Sequence, residues 1–267
     1  MLGFSFYLLP SNLVLLTFCG FGAALALLMP LLRQAIIRAC RSRFGIMNGT
    51  KFVAPPAVFT ALAATLGVLL SVFLVQQQKN FLAITTQISL EANDINNLDR
   101  LLARFPDAEL MSFRVNLAQY AESIVSQEWR VNVDGTKPES SNPHLNKVSR
   151  GVFSFAPKNQ QGSQFHNLVM SQLMKLFEHR VKRLHLSSHY KLSIVFWNAI
   201  FFLTSLLAVL AFLENNSLER ILGLSGQAMG LGLLIGLVFL YDHPFVGDSA
   251  VSNEPFLETL RLISQRT

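Results

Sequence analysis

The sequence predicts an all-α polytopic membrane fold, with four transmembrane helices and a helical extramembrane insert between the second and third. Three observations carry this. Of 267 residues, 51% are hydrophobic and only 14% charged, against about 25% charged in ordinary soluble domains; the mean hydropathy is +0.39. Four runs reach the roughly 20 apolar residues that a helix needs to cross about 30 Å of hydrocarbon. One long stretch, residues 76–191, is too polar to lie in lipid.

The first span, residues 13–32, carries no charge. No basic residue precedes it and its apolar run is too long for a signal-peptide core, so it is expected to persist as an anchor. The connection at 33–51 is short and basic, with Arg33, Arg38, Arg41, Arg43 and Lys51 and no acid. The positive-inside rule assigns such a loop to the cytoplasm, which sets the insert and both chain ends on the other side. Arg180, Lys182, Arg183 and Lys191 crowd the insert's entry to span three and argue the other way, although long domains weigh less in the rule. The second span, residues 52–75, is also uncharged, and Pro55-Pro56 marks a helix start, where a proline's missing donor costs nothing. Residues 1–75 thus hold the first two spans and the basic loop.

The insert, residues 76–191, is helical at both ends. Ile84, Ile88, Ile95, Leu98, Leu102 and Phe105 recur at helical spacing with no proline before Pro106, so span two is expected to continue as one long helix beyond the bilayer. A second helix fits 108–129, with Phe113, Leu117, Tyr120 and Ile124 near one face, and a third fits 163–190. Between them, 131–162 turns to Asp, Gly, Pro, Ser and Asn and reads as a flexible loop. The expected result is a small three-helix bundle. Residues 192–241 hold spans three (192–213, with Asn198) and four (221–241, with Gln227), joined by a tight turn. Residues 242–267 form a C-terminal tail.

Thr60, Ala64, Gly67, Ser71 and Gln78 fall on one face of the second span and its continuation. Hydroxyls and small side chains there suit a pore lining, which leaves room for a hydrated ion. They equally suit close helix packing, and both readings hold if span two surrounds a central axis. Gly226-x-x-x-Gly230 and Gly232-x-x-x-Gly236 in span four predict close contacts on two neighbouring faces, as an oligomer needs. Asn198 and Gln227 suit interhelical hydrogen bonds or a pore position. Asp242 ends span four, where its charge opposes the helix dipole, so a partner is expected, an Arg or Lys of the insert. His185 and His189 stand four apart on a helix, but a metal site takes three or four ligands, and none is expected.

The net charge of +6 is scattered through apolar sequence rather than gathered into a patch, so nucleic acid is not an expected partner. Two cysteines, Cys19 and Cys40, exclude a disulfide framework. The chain has no G-x-S-x-G, H-E-x-x-H, P-loop or dinucleotide fingerprint. Neither an enzyme nor a cofactor is expected.

The closing block YDHPFVGDSAVSNEPFLETL, residues 241–260, resembles the end of the bestrophin-like domain family of four-span membrane proteins. Asp242, Pro244, Phe245, Gly247, Val251, Ser252 and Pro255 stand where that family has an aspartate, Pro-Phe, a glycine, Val-Ser and a second proline. The Ala/Gly-rich second span, the segment YAESIVSQEW at 120–129 and the span order extend the likeness over nearly the whole chain. More distantly the chain resembles the bestrophins, pentameric anion channels with the same order and a Pro-Phe-Gly block followed by acids that bind calcium in the calcium-gated members. Here Val246 separates Phe245 from Gly247 and Asp248 alone follows, a departure from that acidic run. Bestrophin inserts are cytosolic, opposite to the orientation the loop charges give.

The second-span face, the glycine pairs and the resemblance together lead to one expectation. It is a homo-oligomeric channel or pore of a cell membrane (plasma or bacterial inner), for small anions, with span two lining the axis. Its partners would be copies of itself, membrane lipid and small inorganic ions. The alternative is a membrane-anchored helical sensor or scaffold that does not conduct.

Overall fold

A proline lacks only a donor that the first turn of a helix leaves free, and in the computed structural model Pro56 opens the longest helix, of 48 residues. The structure describes residues 9–44, 56–104, 108–133, 141–157, 159–188, 191–213 and 217–266. In chain order its helices are α1 (Ser11–Phe44), α2 (Pro56–Ala103), α3 (Ala108–Ser123), a π-helical turn (Ile124–Glu128), α4 (Trp129–Val133), α5 (Pro143–Ser154), α6 (Gln160–Ser188), α7 (Ile194–Leu213), α8 (Leu218–Tyr241) and α9 (Glu254–Ser264). Among the described residues there is no strand, and α1, α2, α7 and α8 each include a stretch long and apolar enough to cross a membrane. The protein is an all-α polytopic membrane protein. Of the basic connection, α1 absorbs Arg33 and Arg38, while the side chains of 40–51 lie outside the described residues.

The helices fall into two units. The first takes residues 1–78 and 191–249 and holds α1, the first part of α2, α7 and α8. Its core is built on Leu66, Leu70 and Val238, with Phe59, Ile200, Leu207 and Leu224 around them. Lipid tails are as apolar as these side chains, so close packing rather than water exclusion joins the spans. Glycine makes that possible between α1 and α8. A Cβ on Gly232 would lie 2.5 Å from the Phe18 carbonyl oxygen, and one on Gly22 would collide with the Ala228 carbonyl. The Phe18 and Phe239 rings meet alongside, with centroids 5.3 Å apart.

The second unit takes residues 79–190 and 250–267. Ile84, Ile88, Ile95, Leu98 and Leu102 are all buried, as their spacing predicts; Phe105 lies outside the described residues. The stretch 131–162 departs from the expected loop, because it contains α5. Asn142 caps this helix, its side-chain oxygen accepting from the His144 N–H at 3.0 Å and the Leu145 N–H at 3.4 Å, and Pro143 sits at the first turn. Leu145, Val148 and Val152 bury one face. The residues that read as a loop here act as cap and helix start. The tail divides: residues up to Ser249 belong with the spans, while α9 joins the second unit. There Phe256, Thr259 and Ile263 are buried, and Thr259 Oγ1 donates to the Ala92 carbonyl at 3.1 Å.

Candidate functional site

Within the first unit α2 has two unlike faces. Phe59, Ala63, Leu66 and Leu70 form part of the core. The exposed positions between 57 and 75 are Ala57, Val58, Thr60, Ala61, Ala64, Thr65, Val68, Ser71, Val72 and Val75: small, hydroxyl or valine side chains, with no leucine, isoleucine or phenylalanine. The neighbouring spans differ. α1 exposes Leu16, Phe21, Leu28 and Leu31, and α7 exposes Val195, Phe201 and Phe202, the kind of surface lipid wets. Of the sequence-predicted pore residues, Thr60, Ala64, Ser71 and Gln78 are exposed and Gly67 is half-buried, with Leu231 3.9 Å from the place of a Cβ. Ser71 Oγ donates to the Gly67 carbonyl at 2.7 Å and Thr65 Oγ1 to the Ala61 carbonyl at 2.8 Å. Each hydroxyl is thereby satisfied along its own helix and keeps acceptor capacity for water.

The two glycine pairs of α8 behave differently. Gly232 and Gly236 pack inside the chain against α1, on Phe18 and Leu15. Gly226 and Gly230 are exposed, and a Cβ on either would meet nothing within 4 Å. Two contact faces were expected to need a second subunit; one is satisfied internally and one stays open. Asn198 and Gln227 are also exposed on the single chain.

The closing block fastens the ends of the spans. Asp242 is buried, and its Oδ1 accepts from the Leu192 N–H at 2.6 Å while the Trp197 indole donates a further bond. An Arg or Lys was expected; the hydrogen bonds come from a backbone amide and an indole, and Lys191 adds its charge. Burial outweighs these and pushes the Asp242 carboxyl up to about 6, and burial likewise lowers the neighbouring His243. Pro244 and Phe245 are buried. Gly247 then turns at φ 94°, a left-handed conformation that favours glycine. Asp248 follows and takes the Ser11 N–H at 3.1 Å on each oxygen, with the Ser11 hydroxyl also donating. A carboxylate here satisfies an orphan donor of α1 and complements its dipole, and Ser11 holds Asp248 below the usual carboxylate range.

A second constellation, in the second unit, escaped the sequence. Glu91 of α2, Tyr120 of α3, Glu128 of the π turn and Arg180 and Arg183 of α6 converge out of solvent. Arg183 donates to Glu91 Oε2 at 2.5 Å and to Glu128 Oε2 at 2.8 Å; Arg180 donates to Glu128 Oε1 at 2.8 Å and to the Tyr120 hydroxyl at 2.9 Å. Tyr120 in turn donates to Glu91. Two acids balance two bases. Burial alone would raise Glu128, but the charges of Arg183 and Arg180 hold it below its ordinary value; burial and Glu91 push Tyr120 well up. The YAESIVSQEW segment supplies both Tyr120 and Glu128. Alongside, Asp99 takes Arg114 at 2.8 Å and Arg266 at 2.5 Å, and Asp94 pairs with His179 at 2.5 Å. Each acid is matched to a base, so the arrangement holds helices together and offers no open coordination. His185 is exposed and His189 lies outside the described residues. Among the described residues no three His, Cys, Asp or Glu side chains are grouped to hold a metal.

No curated protein matches the chain. The crystal structure of a membrane protein bearing a proline-to-alanine substitution is similar over 93% of this chain and 98% of its own, with a TM-score of 0.69 at 12% identity, a likeness of fold. The Bestrophin-like domain model matches residues 23–256, which takes in the later part of span one, the other three spans, the Glu91–Arg183 network and the Asp242–Asp248 block, and the chain therefore belongs to the bestrophin-like family.

Proposed function

We propose that the protein is a homo-oligomeric channel for small anions, in which the exposed α2 face of each subunit turns toward a shared axis. One observation carries this reading: between 57 and 75 α2 exposes only alanine, valine, threonine and serine, whereas α1 and α7 expose leucine and phenylalanine. A lipid-facing surface has no reason to exclude bulky side chains. A surface around an aqueous path does, because bulk closes the path and hydroxyls ease its wetting. Thr60, Ala64, Gly67 and Ser71 line that path in this reading, and the open Gly226–Gly230 pair supplies a contact between subunits. Membership of the bestrophin-like family supports the channel reading and its anion preference. The test is purified protein in liposomes, assayed for chloride and potassium flux, with its mass measured in nanodiscs. Chloride flux from an oligomer is the expected result. An oligomer whose liposomes stay tight across pH and calcium leaves a non-conducting, membrane-anchored helical scaffold.

A further inference from the structure

Conduction along α2 leaves one feature of the first unit unused: a cavity of about 150 Å³ lined by all four spans. Phe59 and Leu66 of α2, Leu207 and Ala211 of α7, Leu224 of α8 and Ala26 of α1 form much of its wall. Thr204 also lines it, but its hydroxyl already donates to the Ile200 carbonyl at 2.7 Å. Water needs two to four polar partners to settle in a cavity, and dry apolar cavities of this size take small hydrocarbons instead. Left empty, the wall forfeits dispersion contacts on one side.

Depth decides the occupant. Ala26 lies within the stretch Ser11–Ala39, Leu66 ten residues into α2, Leu207 within Ile194–Leu213 and Leu224 within Glu219–Tyr241, all spans by length and composition. The lining therefore sits inside the hydrocarbon layer, where the mobile matter is acyl chain. Phe21 lines the same cavity while being 65% exposed, which puts it on the rim of an opening to the outer surface. Alanines at 26, 208 and 211 keep the space clear where leucine would fill it.

We propose that this cavity is a binding site for a phospholipid acyl chain, which enters past Phe21 and lodges between the four spans. The proposal does not rest on conduction. Its test uses full-length protein in phosphatidylcholine nanodiscs containing a small fraction of phospholipid with a diazirine near the acyl end. After irradiation, adducts are mapped by mass spectrometry. The expected result is labelling of Phe59, Leu66 and Leu207 in addition to the outward Phe201 and Phe202. Ala211→Leu, which fills the cavity, should abolish the first set and leave the second unchanged; Ala26→Val, a gentler filling, gives the same reading if Ala211→Leu fails to fold. Adducts confined to Phe201 and Phe202 in the natural sequence overturn the proposal, as do cavity adducts that persist in the filled variants. Cavity labelling by a free diazirine fatty acid but not by the phospholipid also overturns it, in favour of a diffusing lipophile.

Discussion

Arg183 and Glu91, 92 residues apart in the chain, meet with 2.5 Å between Nε and Oε2 and almost no solvent on either side chain. Taking both ions out of water is expensive, and their attraction offsets it only when the remaining donors and acceptors are also matched. Here Tyr120, Glu128 and Arg180 match most of them, while the buried Arg183 Nη1 has no hydrogen-bond partner. Phe256 of α9 faces the Arg183 guanidinium, with 5.8 Å to the ring centroid. The pair therefore ties α2 and α6 to each other and to the C-terminal helix.

Removing one partner strands the other. Glu91→Ala should destabilise the second unit by about 3–5 kcal/mol, the usual cost of leaving a buried charge unpaired, and lower the thermal midpoint read by circular dichroism. Glu178→Ala is the control. Its pair with Lys182 is 2.6 Å long but more than half exposed on both sides, and exposed pairs contribute little, so its midpoint should match that of the natural sequence. Equal midpoints for the two variants would contradict the assigned role of the network.

The same network sets a pH window. Glu128 is held below its ordinary value of 4.5, so its contribution is present above that value and is lost as pH falls through the lowered one. Tyr120 is raised well above 10.0, so its contribution is present below 10 and is lost as pH rises through the raised value. Stability should stay level from about pH 5 to about pH 9 and fall on both sides. Trp129 fluorescence during thermal unfolding, in a Trp197→Phe background, reads this unit. Glu128→Gln should flatten the acid limb and Tyr120→Phe the alkaline one.

Identical motifs in α8 should respond oppositely. Gly232→Leu drives a side chain into the Phe18 carbonyl and should separate α1 from α8, lowering the yield of folded protein in detergent. Gly226→Leu and Gly230→Leu meet open space in the single chain and should fold normally. If that face joins subunits, they should also shift the mass in nanodiscs from oligomer toward monomer.

The spans were legible because a bilayer imposes a local rule, some 20 apolar residues in a row, and the predicted α2 stripe from Ile84 to Leu102 is buried for the same local reason. Glu91 and Arg183 were not legible. Their pairing is a long-range fact of folding, and Arg180 and Arg183 read in isolation as charges that orient a membrane segment. α5 was hidden because Asn142 and Pro143 signal a cap and a turn alike. The candidate pore face lies between. The spacing of Thr60, Ala64, Gly67 and Ser71 is visible in the sequence, but only the packing of the other spans on Phe59, Leu66 and Leu70 shows which side of α2 is left open. Gly226 and Gly232 likewise differ only through Phe18, on another helix.

Conduction is the most exposed of these expectations. Ala64 is exposed on α2, so Ala64→Leu adds bulk to the proposed path without entering the core. It should cut chloride flux about tenfold, equivalent to roughly 1.4 kcal/mol on the barrier, with the oligomer intact. Val68 shares the exposed face, and Val68→Ser should raise leak, since apolar constrictions gate by expelling water. Leu70, two residues on, is fully buried in the core, so Leu70→Ser should lower stability and leave no conducting protein to assay. A path lined by α1 or α7 instead predicts no change from Ala64→Leu and Val68→Ser, and flux that responds to Leu28 or Phe202. Liposome flux for Ala64→Leu and Val68→Ser, set beside substitutions at Leu28 and Phe202 and normalised to oligomer mass, separates the two arrangements.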